Sequence, residues 1–63
     1  MKLWIARDEY NILGLFFEKP EYQEQLRCWV KAPFATYLPP SAFPEVTFEN
    51  SPQMVEIKLV KEE

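Results

Sequence analysis

Few side chains in this sequence could carry catalysis, and they are of two kinds: one thiol and a set of carboxylates. Cys28 is the only cysteine, and the chain contains no histidine. These facts exclude a histidine general base, a Cys/His zinc site and an intrachain disulfide. Because Cys28 lies on the apolar side of an alternating segment, we expect a buried, unreactive thiol.

The acidic residues offer the remaining route to acid–base chemistry. Paired carboxylates can serve as general acid and general base, but we expect these to be outward-facing or in loops: Glu18, Glu21, Glu24, Glu45, Glu49 and Glu56. A single glycine leaves no Gly-rich phosphate loop. We therefore predict no catalytic residue, no metal ligand and no cofactor. A small enzyme or enzyme subunit that uses these carboxylates is the alternative interpretation.

The charge pattern argues against nucleic acid as a partner. The net charge is −3, and residues 32–63 contain two basic and five acidic residues. Binding to phosphates requires clustered lysine and arginine, and the sequence has no such cluster. A nucleic-acid-binding protein is therefore the second alternative, disfavoured by charge. No apolar run approaches a membrane span or a signal peptide, and with the lone thiol we expect a cytoplasmic protein without membrane contact.

Aromatic residues make up 16% of the chain, which argues for a folded domain rather than disorder. The whole chain, residues 1–63, is predicted to be one small domain, and a core of this size rarely supplies more than roughly 3–5 kcal/mol. If the alternating apolar residues face inward, Trp4 and Trp29 point to the opposite face. Two tryptophans there are our candidate partner-binding site, unless the loops fold over that face and cover both rings.

The first half of the chain predicts a hairpin followed by an ambiguous segment. Residues 2–7 alternate, residues 8–11 contain turn formers, and a second apolar run spans residues 12–18. Residues 20–31 have helical spacing with proline at a first helical position, but Leu26, Cys28 and Val30 also alternate as an inward-facing strand face. From periodicity alone, strand and helix remain open.

The second half is divided by prolines. Residues 35–38 can form a short strand, and residues 40–43 a single 3-10 turn that places Phe43 on the core. Residues 45–49 alternate again, and residues 50–53 contain Asn and Pro at turn positions. The last segment is the clearest predicted strand, with Val55, Ile57 and Leu59 facing inward.

Three segments of the sequence also carry a resemblance: the start KLWIARD (residues 2–8), the pair Lys19-Pro20, and FPEVTFENSP (residues 43–52) leading into VEIKL (residues 55–59). In these segments the chain resembles a family of short, uncharacterised bacterial proteins found in gut anaerobes and on their mobile elements. The resemblance implies no activity and no site residue. Relatives rich in glycine across residues 21–37 imply a strand there rather than a helix.

We therefore predict an all-β fold: a small bent antiparallel sheet or barrel-like roll of about five strands with one short 3-10 turn. The alternative is α+β with a helix at residues 20–31. The function that we predict is a non-enzymatic protein-binding or accessory module with an unknown protein partner. Because so small a domain is short of stabilisation, we also predict a homodimer paired through edge strands and the tryptophan face.

Overall fold

The computed structural model describes residues 1–56 of the chain, and this part is entirely β-structure with turns. Its six strands are β1 (Lys2–Arg7), β2 (Leu13–Phe16), β3 (Glu21–Gln23), β4 (Cys28–Val30), β5 (Phe34–Leu38) and β6 (Gln53–Glu56). The all-β prediction is confirmed. The alternative with a helix at residues 20–31 is wrong, because that segment forms the β3–β4 hairpin.

The first hairpin forms as predicted, with Ile5 opposite Leu15 and Ala6 opposite Gly14. Its turn is held by Asp8, whose Oδ1 accepts hydrogen bonds from the backbone N–H groups of Tyr10 at 2.8 Å and Ile12 at 3.1 Å. Asn11 occupies the left-handed region with φ 65°, a conformation that asparagine tolerates better than most residues. The turn therefore does not need glycine.

Four strands form an antiparallel sheet in the order β5-β2-β1-β6, and β3 and β4 form a separate two-stranded sheet. Within residues 1–56 the larger sheet is open, with β5 and β6 at opposite edges. The bent antiparallel sheet is thus found, but it does not close into a barrel. Val55 pairs with Leu3 as an inward-facing residue, whereas the predicted positions Ile57 and Leu59 lie outside the described residues.

One irregularity in β5 changes which side chains share a face. Phe34 pairs with Phe16 and Thr36 pairs with Leu15, so Ala35 is an extra residue opposite β2. Such a bulge resets the alternation of the strand. Phe34 and Tyr37, which a regular strand would place on opposite faces, consequently lie on the same face with ring centroids 4.6 Å apart.

The core lies on one face of the sheet, beneath residues 39–52, which we call the covering segment. Ile5 and Leu13 are fully buried there with Val46 of the covering segment. Around them pack the partly buried residues Leu15, Leu38, Ala42 and Val55. The covering segment thus closes the core face.

The covering segment differs from its prediction in two respects. Residues 45–49 form turns rather than a strand, and Val46 reaches the core from a turn in which its N–H donates to the Phe43 carbonyl at 2.9 Å. The expected helical turn is a single bond from Ala42 N–H to the Pro39 carbonyl, also 2.9 Å. Phe43 has φ 49° and its ring is exposed, so Val46 and Ala42, not Phe43, fill the core.

The guanidinium of Arg7 joins the covering segment to the sheet. Arg7 lies on the core face of β1, and its Nε donates to the Val46 carbonyl at 2.6 Å. Its two terminal nitrogens donate to Asn11 Oδ1 and to the carbonyls of Pro40, Ala42 and Phe43, at 2.7 to 3.2 Å. All five acceptors are neutral, so the buried charge is solvated by backbone oxygens rather than by a carboxylate.

The β3–β4 hairpin corrects the prediction for Leu26. The alternation of Leu26 with Cys28 and Val30 suggested three inward-facing residues, but the strand begins only at Cys28. Leu26 lies in the connecting turn and is exposed. Arg27 in this turn has φ 52°, which is not an extended conformation. Leu26 therefore does not share a strand face with Cys28 and Val30.

Candidate functional site

A cleft of about 320 Å³ lies on the side of the four-stranded sheet opposite the core. We call this side the cleft face. The sheet forms the floor and β4 with its following residues forms one wall. The lining residues are Ala6, Asp8, Ile12, Gly14, Phe16, Cys28, Trp29, Val30, Ala32, Phe34 and Tyr37. Apart from Asp8 they are aromatic, aliphatic, small or thiol side chains, which is the composition of a binding cleft rather than of a solvated surface.

Gly14 makes room for the rings at the floor of this cleft. A Cβ atom at Gly14 would lie 2.9 Å from Cε1 of Phe16 and 3.4 Å from Cε1 of Phe34. The first distance is too short for two carbon atoms, so a side chain here would displace the Phe16 ring. A glycine inside a strand is typical of a bulge or of a close approach by a neighbouring group. At Gly14 it is a close approach, and the neighbours are Phe16 and Phe34.

Three rings form a continuous aromatic surface from the cleft floor to its rim. Phe16 and Phe34 meet edge to face with centroids 5.5 Å apart, and Phe34 contacts Tyr37 as described above. Phe16 is buried, whereas Phe34 and Tyr37 are exposed. Adjacent exposed aromatic side chains of this kind are enriched where proteins bind partners.

Trp29 forms the facing wall, and its orientation is fixed by polar and aromatic contacts. The indole Nε1–H donates to the backbone carbonyl of Arg7 at 3.0 Å. The ring packs edge to face on Tyr22 at 5.3 Å, and Tyr22 contacts Phe48 of the covering segment at 5.0 Å. Trp29 is thus half-buried and held in place, with the cleft along its side.

Trp4, the other predicted site residue, lies on the same face of the sheet but does not line the cleft. It pairs with Phe16 across β1 and β2, and the Nζ of Lys19 lies 5.6 Å from the centre of its ring. Both tryptophans are half-buried. The structure therefore places Trp29 in the cleft and Trp4 beside it under a lysine, so the two rings do not form one open patch.

A hydrogen bond between Tyr22 and Glu9 ties the β3–β4 hairpin to the first turn. The Tyr22 hydroxyl donates to Glu9 Oε2 at 2.5 Å. This bond, with smaller contributions from desolvation and from the Glu9 charge, raises the pKa of Tyr22 to about 12. Both groups are at the protein surface, so the bond positions the hairpin more than it stabilises the fold.

We expect Tyr22 to ionise near pH 12 in the folded protein, and Glu9→Gln to move its midpoint down towards 10. Because folding raises this pKa, the associated stability is fully present below pH 10 and is lost between pH 10 and pH 12. NMR titration of the tyrosine Cζ resonances measures the midpoint. A midpoint unchanged by Glu9→Gln would contradict the assignment, and Tyr22→Phe identifies the resonance.

The groups considered for catalysis are dispersed. Cys28 is a free, half-buried thiol on the cleft wall, more accessible than the buried thiol that we predicted. The six glutamates named in the sequence analysis are exposed, as predicted. Residues 1–56 contain no group of three or more Cys, Asp or Glu side chains arranged to hold a metal ion. None of the described segments is a helix of the length and apolar character needed to cross a membrane.

A second, wider depression lies over the covering segment, with a volume of about 630 Å³. Its lining includes Arg7, Pro40, Phe48 and Glu49. The Arg7 guanidinium is already bonded to five acceptors, so it offers no donor to a ligand. The aromatic cleft on the other face is therefore the better candidate site.

Sequence reasoning did not find Asp8, Ile12, Phe34 and Tyr37 as cleft residues. Phe34 and Tyr37 are three positions apart, which a regular strand assigns to opposite faces. Only the bulge at Ala35 brings them together. The clustering of two aromatic residues within a strand of five was the one signal in the sequence that pointed to this surface.

Comparison of the chain with protein-family models, with curated proteins and with solved structures gave no match. The resemblance to short bacterial proteins therefore stays a prediction.

Proposed function

We propose that this domain is a non-enzymatic protein-binding module and that the aromatic cleft is its binding site. The observation that carries the proposal is the exposure of Phe34 and Tyr37 beside a preformed cleft with a glycine floor. Large rings that remain accessible while resting on buried neighbours lose little conformational entropy on binding. They can therefore contribute much of the affinity for a partner.

The cleft also adjoins a sheet edge. In the described part of the chain no strand pairs with the outer edge of β5, the strand that carries both rings. An extended partner segment could add to this edge through its backbone while its side chains enter the cleft. Pro33 and Pro39 flank the strand and limit such an addition to a short segment.

The test is selection of peptides from a random displayed library against the immobilised full chain. We expect enriched peptides whose affinity falls at least about tenfold on Phe34→Ser, as expected for a hot-spot ring. The matched control is Phe17→Ser. Phe17 is 52% exposed against 44% for Phe34, but it does not line the cleft, so its loss should leave the affinity unchanged.

Two outcomes would contradict the proposal. One is that the wild-type chain enriches no peptide beyond those that the Phe34→Ser variant also enriches. The other is that Phe17→Ser lowers the affinity for the enriched peptides as much as Phe34→Ser does. Binding would then not depend on the cleft. Thermal melts of both variants show whether each one is folded before its affinity is interpreted.

A second copy of the chain is the alternative partner for this surface, which would give the predicted homodimer. Two copies could pair through β5, and each would cover the other's rings. Sedimentation at hundreds of micromolar distinguishes the cases, since a monomer has a mass of 7.5 kDa. The proposal places the domain in the cytoplasm, where a lone thiol such as Cys28 persists in reduced form.

A further inference from the structure

Among the described residues that line the cleft, Asp8 is the only charged one. It is 8% exposed, and its Oδ1 is fixed by the N–H groups of Tyr10 and Ile12. The carboxylate is therefore held in one orientation at the end of the aromatic cleft, next to the second depression, which Asp8 also lines. A charge so placed affects what the cleft can bind more strongly than a mobile surface charge does.

No cation neutralises Asp8 within residues 1–56. The ion pair found there joins Lys31 and Glu21 at 3.4 Å. Arg7 is adjacent in sequence, but its guanidinium donates to Asn11 Oδ1 and to backbone carbonyls. An apolar occupant would remove the remaining water from a carboxylate that has no counter-ion, which is energetically costly. A cationic occupant would compensate it.

The aromatic lining favours the same occupant. The faces of Phe, Tyr and Trp rings carry negative electrostatic potential and attract ammonium and guanidinium groups within about 6 Å of the ring centre. The protein already contains one such arrangement on this face of the sheet, where Lys19 Nζ lies 5.6 Å from the centre of the Trp4 ring. A net charge of −3 would in addition attract a basic partner.

We propose that the cleft binds the cationic side chain of a basic partner segment, an arginine or a lysine, between its aromatic rings and the carboxylate of Asp8. The inference rests on the proposed protein-binding function and names the chemistry of its partner. The rings surround the hydrocarbon stem and the charged head, and Asp8 supplies the counter-charge. The side chain enters from a short extended segment that lies along β5.

The experiment is an NMR titration of the full chain with three capped pentapeptides, Gly-Gly-X-Gly-Gly, where X is arginine, norleucine or glutamate. We expect the arginine peptide to shift the Trp29 indole N–H resonance and to bind at least about fivefold more tightly than the norleucine peptide. The glutamate peptide should bind most weakly. Affinity for the arginine peptide should fall as sodium chloride is raised, because screening weakens the charge contribution.

The variant that tests the counter-charge is Asp8→Asn. Asparagine keeps an Oδ1 acceptor for the two turn N–H groups, so the hairpin is retained while the charge is removed. We expect it to abolish the preference for arginine over norleucine. Glu18→Gln is the matched control, since it removes one charge at an exposed position that does not line the cleft. It should leave the preference intact.

The outcomes separate this inference from the proposed function. If norleucine binds as tightly as arginine, or if Asp8→Asn keeps the preference, the cationic partner is refuted while the cleft remains a binding site. If none of the three peptides shifts a cleft resonance, the inference is also refuted, and the peptide selection decides the proposed function independently. If Asp8→Asn does not fold, wild-type affinity for arginine that is independent of salt refutes the inference.

Discussion

Replacement of Arg7 by methionine is expected to unfold the domain at room temperature. Methionine retains much of the apolar stem but leaves the carbonyls of Val46, Pro40, Ala42 and Phe43 without the donors that they have now. The bond to Val46 is buried and the other three are part-buried. A buried acceptor left unsatisfied costs roughly 1–3 kcal/mol, and a part-buried one costs less because water can replace the donor. The total is comparable with the roughly 3–5 kcal/mol that so small a domain has available.

Near-UV circular dichroism and urea unfolding provide the measurement for this variant. Arg27→Met is the control, because Arg27 is exposed in the β3–β4 turn and should tolerate the same substitution with little loss. Arg7→Lys should fall between the two, since one ammonium has three donors for acceptors spread along the covering segment. Arg7→Met with a free energy of unfolding within about 1 kcal/mol of the wild type would show that the five bonds do not support the fold.

Leu13→Ala is expected to have the second largest effect. Leu13 is 0% exposed and is one of the two largest side chains fully buried in the structure. Truncation of such a leucine costs about 2–5 kcal/mol, through lost apolar burial and the cavity left behind. In a domain of this size, the melting temperature should fall by tens of degrees or the cooperative transition should disappear.

Leu26→Ala is the matched control for Leu13→Ala, and it also tests the correction to the sequence-based prediction. Leu26 is 64% exposed, so the same truncation should change the free energy of unfolding by less than about 0.5 kcal/mol. The alternation of Leu26 with Cys28 and Val30 predicted the opposite. Equal losses for the two variants would mean that Leu26 is packed and that the hairpin lies elsewhere.

The sequence predicted those parts of the fold that depend on local alternation and turn chemistry. The first hairpin followed from a period-two pattern and from Asp and Asn in its turn, and the strand at residues 35–38 from the prolines on either side of it. Periodicity alone left residues 20–31 open between strand and helix, and only the resemblance favoured the strand. What the sequence could not predict are contacts that depend on long-range placement. Arg7 sits at an inward-facing position of β1, and four of the five acceptors of its guanidinium lie on the covering segment, more than thirty residues away.

The candidate site was predicted only in part, for a related reason. Trp4 and Trp29 were selected because two tryptophans were expected on one outer face and tryptophan is common at binding hot spots. The structure places Trp29 in the cleft and Trp4 beside it. Phe34 and Tyr37 were not selected, because the extra residue Ala35 shifts the register of β5. A bulge depends on how two strands pair, and no single strand contains that information.

The separation of the two sheets determines how the cleft behaves when it is occupied. The β3–β4 hairpin shares no backbone ladder with the four-stranded sheet in the described residues. Among its attachments are the indole bond of Trp29 and the Tyr22 contacts with Glu9 and Phe48. Opening of this wall would break those side-chain contacts but no strand pairing between the two sheets. We therefore expect the amide hydrogens of the hairpin to exchange with solvent sooner than those of β1 and β2.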